Sequence, residues 1–312
     1  MTSAATEPTH NTAAIDRRGA ASGMTAYVVW GFLTVYWKAL KEYSPVELIG
    51  YRVVLSVVLL VVIMSWRGRL LPLIADVRER RLTKPVALAS IVLLVNWTSY
   101  VIVVSEGHVI EAALGYFISP LGAMLVGVKV LGEQLQPVQR LTALLGLSSV
   151  VVLTFSYGRV PVYALLIAAS WTTYGYLKRQ IPLSPIEGLT IETMVITVPA
   201  VGLILWHLQY ADSVVRTASA VDWVLIAFLG VITAIPLMMF AYAAQRIPMT
   251  VIGPMQYSVP VINFLLGWLA YDETLTASRV VGFSLVWIAL VALTIDTIRR
   301  ARRPIATNEE LY

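Results

Sequence analysis

Residues 44–66 read SPVELIGYRVVLSVVLLVVIMSW. After Glu47 the run carries a single charge, Arg52, and it is long enough to cross roughly 30 Å of hydrocarbon, which needs about 20 residues at ~1.5 Å each. A barrel strand would be about half as long and would alternate in polarity, whereas LSVVLLVVIM at 55–64 does not alternate. The stretch therefore reads as a membrane-spanning helix. Its opening tetrapeptide returns as SPIE at 184–187, an offset of 140 residues. That recurrence, followed in both directions, sets the architecture.

Composition agrees with a bilayer as solvent. Hydrophobic residues make up 58% of the 312-residue chain and charged ones 13%, against about 25% charged in a soluble domain; mean hydropathy is +0.76. Cysteine is absent, which excludes disulfides, thiolate nucleophiles and cysteine-based metal sites, and His10, His108 and His207 are scattered. No metal site or cofactor is expected. Residues 1–18 are polar, contain Glu7 and Asp16, and lack the apolar core of a signal peptide; they and the basic tail 299–312 are expected to be cytoplasmic extensions.

Ten apolar runs lie between these tails, near 19–38, 45–66, 85–105, 109–131, 138–157, 160–178, 186–207, 221–244, 248–271 and 276–298. With the N-terminus inside, 17 Lys and Arg fall on the inner connections, 6 of them from Arg67 to Lys84, and 5 on the outer ones. Short cytoplasmic loops hold such an excess, so both termini are expected in the cytoplasm. The net charge of +5 is then a consequence of topology, and no nucleic-acid partner is expected.

Sliding the chain by 140 aligns Tyr36 with Tyr176, Lys38 with Lys178, Glu47 with Glu187, Pro120 with Pro260, Gly127 with Gly267 and Glu133 with Glu273. Each half, 19–157 and 158–298, then holds five spans, and an odd number of crossings inserts the second half upside down. The expected fold is an all-α membrane protein of ten transmembrane helices in two inverted five-helix repeats. Locally, Ser44 and Ser184 are each expected to cap a helix, with proline at the first helical position and Glu47 or Glu187 reaching back; ion binding is the other reading of these glutamates, and of Glu133 and Glu273.

The segments WGFLTVYWKALKEYSPVELIGYRVV at 30–54, NWTSYVIVV at 96–104, EAALGYFISPLGAMLVGVKVLGEQL at 111–135 and GLTIETM at 188–194 together resemble the RarD branch of the EamA-type drug/metabolite transporters. The resemblance covers about residues 20–298. It implies a ten-helix inner-membrane protein with the fifth and tenth helices peripheral and the others around a central cavity, acting as an exporter of amino acids, notably aromatic ones, of other metabolites, or of drugs.

Independently, a transporter site is best sought where matching spans of the two halves are interrupted by proline or glycine. Pro120 and Pro260 fall near the middle of the fourth and ninth spans, and each frees a carbonyl about one turn earlier, near Tyr116 and Gln256. Those carbonyls either line a cavity or are satisfied by a nearby Ser119 or Ser258. Polar and aromatic residues recur at similar depth: Trp30, Asn96, Trp97, Tyr100, Tyr116, Trp171, Tyr174, Gln256, Tyr257 and Asn263. Lining the cavity and bonding between helices both suit Asn96 and Tyr100, while Trp66, Trp206, Trp223 and Tyr271 sit at span ends where interfacial belts form. Arg52 and Glu192 are charges within spans and are repeat mates. Substrate binding, mutual pairing and snorkelling are open to both.

The expected function is thus an inner-membrane secondary transporter that exports amino acids and related metabolites by alternating access, with the bilayer and a small-molecule substrate as partners and a monomer as the unit. Efflux of chloramphenicol-like drugs is the alternative. An enzyme would need clustered acid, base or ligand residues at depth, a channel a carbonyl filter or charge ring, and an ATPase a Walker A loop; none is legible. Proton coupling would draw on Glu192 or Glu111, and a facilitator on neither.

Overall fold

The computed structural model describes residues 16–106, 109–157 and 160–270, with Ser284, Trp287, Ile288 and Val291 beyond them. The described residues are helical throughout: α1 (Arg17–Ala39), α2 (Pro45–Trp66), α3 (Leu70–Glu79), α4 (Thr83–Ser105), α5 (Val109–Lys129), α6 (Pro137–Tyr157), α7 (Val162–Gln180), α8 (Pro185–His207), α9 (Val214–Thr217), α10 (Ala220–Ala244), α11 (Met249–Met255) and α12 (Ser258–Ala270). Helices stand at the first nine expected spans, and the tenth, with Glu273 and both tails, lies outside the described residues. By length and apolarity, Pro45–Trp66, Pro185–His207, Ala220–Ala244 and the joined Met249–Ala270 are each able to cross a membrane, and α3 with α4 forms a further apolar pair bent by 109°.

The packing follows the 140-residue offset. Helix α1 runs antiparallel to α10: Gly19 faces Arg246 and Ile247, Ser22 Oγ donates to the Met239 carbonyl at 3.0 Å, and Tyr43 Oη donates to Asp222 at 2.7 Å. Their counterparts α7 and α4 pack together too, Asn96 meeting Ile167 and Ser170. Gly50 of α2 lies against Ala200 and Ile204 of α8, close enough that a Cβ there would fall 2.9 Å from the Ala200 carbonyl. Small residues at such crossings let backbones approach where lipid offers no hydrophobic drive.

The outer surface is apolar, with Val58, Val62, Val198, Leu205, Val224 and Phe228 all more than half exposed. On a soluble protein such a belt would be an aggregation surface. Helix α6 packs chiefly on α5 and presents Leu141, Leu144, Leu147, Val151 and Phe155 outward. Trp66, Trp206 and Trp223 are exposed at helix ends, as interfacial anchoring requires.

Two local expectations need correction. The segment from Arg67 to Lys84, read as a loop, contains α3, whose Leu73 and Val77 are buried. The spacing Leu70, Leu73, Ile74, Val77 is helical and carried that signal. The two serine caps also differ. Ser184 forms a full capping box, its Oγ accepting from Glu187 N and Glu187 accepting from Ser184 N at 3.1 Å. Ser44 makes no side-chain cap bond, and Glu47, whose carboxylate would complete the box, turns away and accepts from Ser213 Oγ and Val214 N, both at 2.9 Å. Two donors at the start of α9 outcompete the local amide.

Candidate functional site

A cavity opens between the middle of the bundle and the face on which α1 ends. It is lined by Trp30, Thr34 and Trp37 of α1, Ile49 and Arg52 of α2, Asn96, Trp97 and Tyr100 of α4, Tyr116 of α5, Trp171 of α7, Leu237 of α10, and Gln256, Val259 and Asn263 around the α11–α12 break, with Tyr27 and Leu33 completing the wall. Its volume, measured for the centres of water-sized spheres, is ≈ 150 Å³, about ten times what one water needs.

Aromatic side chains build the deep wall. Trp30 meets Trp171 edge-on with centroids 5.3 Å apart, Trp171 lies 4.8 Å from Phe240, and Tyr100 stands 6.0 Å from Tyr116. Amides and hydroxyls punctuate this surface. Thr34 Oγ1 lies 2.7 Å from Asn263 Oδ1 and donates to it, while Asn96 Nδ2 donates to the Ile167 carbonyl and to Ser170 Oγ, both at 3.0 Å. Asn96 therefore both lines the cavity and joins α4 to α7. Arg52 is held against the wall by Thr233 Oγ1, 3.0 Å from its Nε, and its guanidinium lies 4.1 Å from the Trp97 ring centroid and 5.8 Å from that of Trp37.

Nine of the sequence candidates thus converge: Trp30, Arg52, Asn96, Trp97, Tyr100, Tyr116, Trp171, Gln256 and Asn263. Five do not. Tyr174 is fully buried and donates to Glu192 at 2.8 Å. Glu192 is 0% exposed and pairs with Lys178 at 2.8 Å, so it neither meets Arg52 nor faces the cavity. Tyr257 is also fully buried, packed on Phe117. Pro120 serves the α5–α11 crossing, where its carbonyl would lie 2.7 Å from a Cβ placed on Gly253. Pro260 falls in the first turn of α12 rather than at a mid-helix kink, since the chain already breaks at Gln256 and Tyr257. The Gln256 carbonyl that Pro260 releases is taken by Val259 N at 3.1 Å, so the cavity is not needed to satisfy it.

Sequence reading passed over Tyr27, Leu33, Thr34, Trp37, Ile49, Leu237 and Val259. Thr34 and Trp37 lie on the same face of α1 as Trp30, four and seven residues on, and that spacing held the signal.

On the opposite face the bundle is tied shut. Glu133, in the α5–α6 connection, accepts from Met249 N at 3.0 Å and Thr250 N at 2.8 Å, capping α11 from the other half of the chain. Arg179 lies 3.5 Å from Glu133 and donates to the Ile247 carbonyl at 2.8 Å, and Arg69 bridges to Glu187 at 3.0 Å. Of the two readings of Glu133, the structure takes capping, though of a distant helix.

The model of the EamA-like transporter family matches the chain twice, over residues 17–155 and 159–295. Protein RarD of Streptomyces exfoliatus is 40% identical over 297 residues, 94% of this chain and 93% of its own length. An uncharacterized transporter of Bacillus subtilis, YojE, is 32% identical over 92% of this chain and 96% of its own. A solved crystal structure at 20% identity superposes with a TM-score of 0.67 over 91% of this chain and 99% of its own, a likeness of fold. A polar-lined cavity inside an apolar helical shell, two consecutive family matches and a RarD relative along nearly the whole chain lead to one conclusion: this is a multi-pass membrane transporter, a RarD-type member of the EamA family.

Proposed function

We propose that the protein is a secondary exporter of amino acids and related small metabolites, seated in the inner membrane with both termini cytoplasmic, and that it works by alternating access. The observation that carries this reading is the cavity itself, whose walls come from α1, α2, α4 and α5 of one half and α7, α10, α11 and α12 of the other. Ten crossings in two inverted repeats, 19–157 and 158–298, are supported by the packing of α1 on α10 and of α7 on α4, pairs which the offset exchanges. With the N-terminus inside, the cavity lies toward the outside, and Glu133, Arg179 and the start of α11 seal the cytoplasmic face. Export then requires those cross-half contacts to open while the aromatic wall closes around the outer path.

The aromatic and amide lining suits a small molecule with a flat apolar body and a few polar groups. The experiment is counterflow of radiolabelled phenylalanine and tryptophan in proteoliposomes, with and without a pH gradient. Saturable exchange above protein-free vesicles is the expected result. Exchange of chloramphenicol with none of amino acids would replace this reading by drug efflux.

A further inference from the structure

Among the described residues, three buried carboxylates show the usual pattern of being partnered. Glu192 has Lys178 and Tyr174, Glu47 has Ser213 and Val214, and Glu133 has Arg179 and the α11 amides. Arg52 departs from this pattern. Among the described residues no carboxylate lies within salt-bridge distance of it, and its one hydrogen bond uses Nε and leaves the two terminal amino groups uncommitted. An arginine within a span is costly and marks a function by default.

Its surroundings hold it ready for a ligand. Thr233 fixes the inner edge of the guanidinium, and Trp97 and Trp37 flank the planar group, so little freedom is left to lose when the outer fork binds. Arg52 belongs to the cavity wall, which also carries the polar groups of Thr34, Asn96, Tyr100, Tyr116, Gln256 and Asn263. Among the described residues no Asp or Glu lines the cavity, so the described lining carries one positive charge that an anionic occupant would neutralise. Two parallel amino groups match the two oxygens of a carboxylate.

Resting on the transporter reading above, we propose that the substrate is a carboxylate with a flat apolar body, its carboxylate gripped by Arg52 and its body laid against Trp30 and Trp171. Zwitterionic amino acids and simple organic acids share this chemistry; amines and uncharged drugs lack it.

The test is binding rather than flux, so that it is read apart from transport. Purified full-length protein in detergent is titrated with phenylacetate, phenylalanine, phenethylamine and chloramphenicol, following tryptophan fluorescence and calorimetric heat. The acid and the amino acid are expected to bind about tenfold or more tighter than the amine, as a charge-assisted bond predicts; their ranking against each other tells which source of carboxylate is preferred. Arg52→Gln is expected to abolish the preference for acid over amine, and Arg52→Lys to keep the preference at reduced affinity. Should Arg52→Gln fail to fold, the wild-type series and Arg52→Lys decide alone. Equal binding of amine and acid, undetectable binding of both carboxylates, or unchanged phenylacetate affinity in Arg52→Gln each overturns the proposal. Counterflow that persists under any of those outcomes leaves the transporter reading standing without it.

Discussion

Tyr257 touches Phe117, the residue 140 positions before it: their ring centroids lie 6.3 Å apart, and the Tyr257 hydroxyl donates to the Phe117 carbonyl at 3.4 Å. Under the proposed inverted-repeat architecture, a residue would meet its own counterpart only beside the two-fold axis. The contact marks where α5 and the broken α11–α12 cross, and the cavity opens next to it between Tyr116 and Gln256, which are also counterparts. Tyr257 thus supports the site from behind, as a packing residue.

We expect cavity and supporting positions to separate in flux. Tyr100→Phe, Gln256→Ala and Trp171→Ala each remove a group from the cavity wall and should lower proteoliposome exchange several-fold, since a lost hydrogen bond to substrate costs roughly 0.5–1.5 kcal/mol. Val151→Ala on the outer face of α6 should leave exchange unchanged at matched protein levels. Equal rates in all four would remove the cavity from the transport path.

The Lys178–Glu192 pair makes a sharper prediction. Both side chains are nearly inaccessible, 2% and 0% exposed, so deleting one partner strands a buried charge at a cost of about 3–5 kcal/mol. Lys178→Met and Glu192→Gln should each lower the thermal midpoint of purified protein markedly, and the double variant should recover most of the loss. Because Glu192 faces away from the cavity, any pH dependence of exchange should survive in the double variant. Its disappearance would make Glu192 a proton carrier instead of a structural anion.

The two serine motifs should respond unequally to the same change. Ser184→Ala deletes a working capping box and should cost about 1 kcal/mol, whereas Ser44→Ala should cost a few tenths at most. Glu47→Ala leaves the start of α9 without its acceptor and should be the more damaging substitution at that end, by about 1–3 kcal/mol for buried donors left unpaired. Thermal unfolding of the three variants side by side provides the check.

Orientation is testable in a chain without cysteine. Single cysteines at Arg78, in the last turn of α3, and at Val215, in α9, should label from opposite sides of intact cells, Val215 from outside and Arg78 only after permeabilisation. Both positions are exposed. Outside labelling at 78 would invert the topology and move the cavity to the cytoplasmic side.

The sequence by itself determined the solvent and the helical class, because hydrocarbon leaves a backbone few ways to satisfy its hydrogen bonds, and it displays the 140-residue offset on which the proposed repeat rests. It also placed Trp30, Arg52, Asn96 and Tyr100 at useful depth. Depth is an axial coordinate, however, and whether a side chain faces cavity, neighbour or lipid depends on the rotation of its helix against others. Only the tertiary structure turned Tyr174 and Tyr257 into the packing, gave Glu192 to Lys178, and sent Glu47 and Glu133 to distant helix starts. The donors that capture those carboxylates lie between 14 and 167 positions away, beyond the reach of any local pattern. Arg52 and Glu192 occupy the same register in their halves and met different neighbours, so one charge was neutralised inside the protein and the other was left facing the cavity.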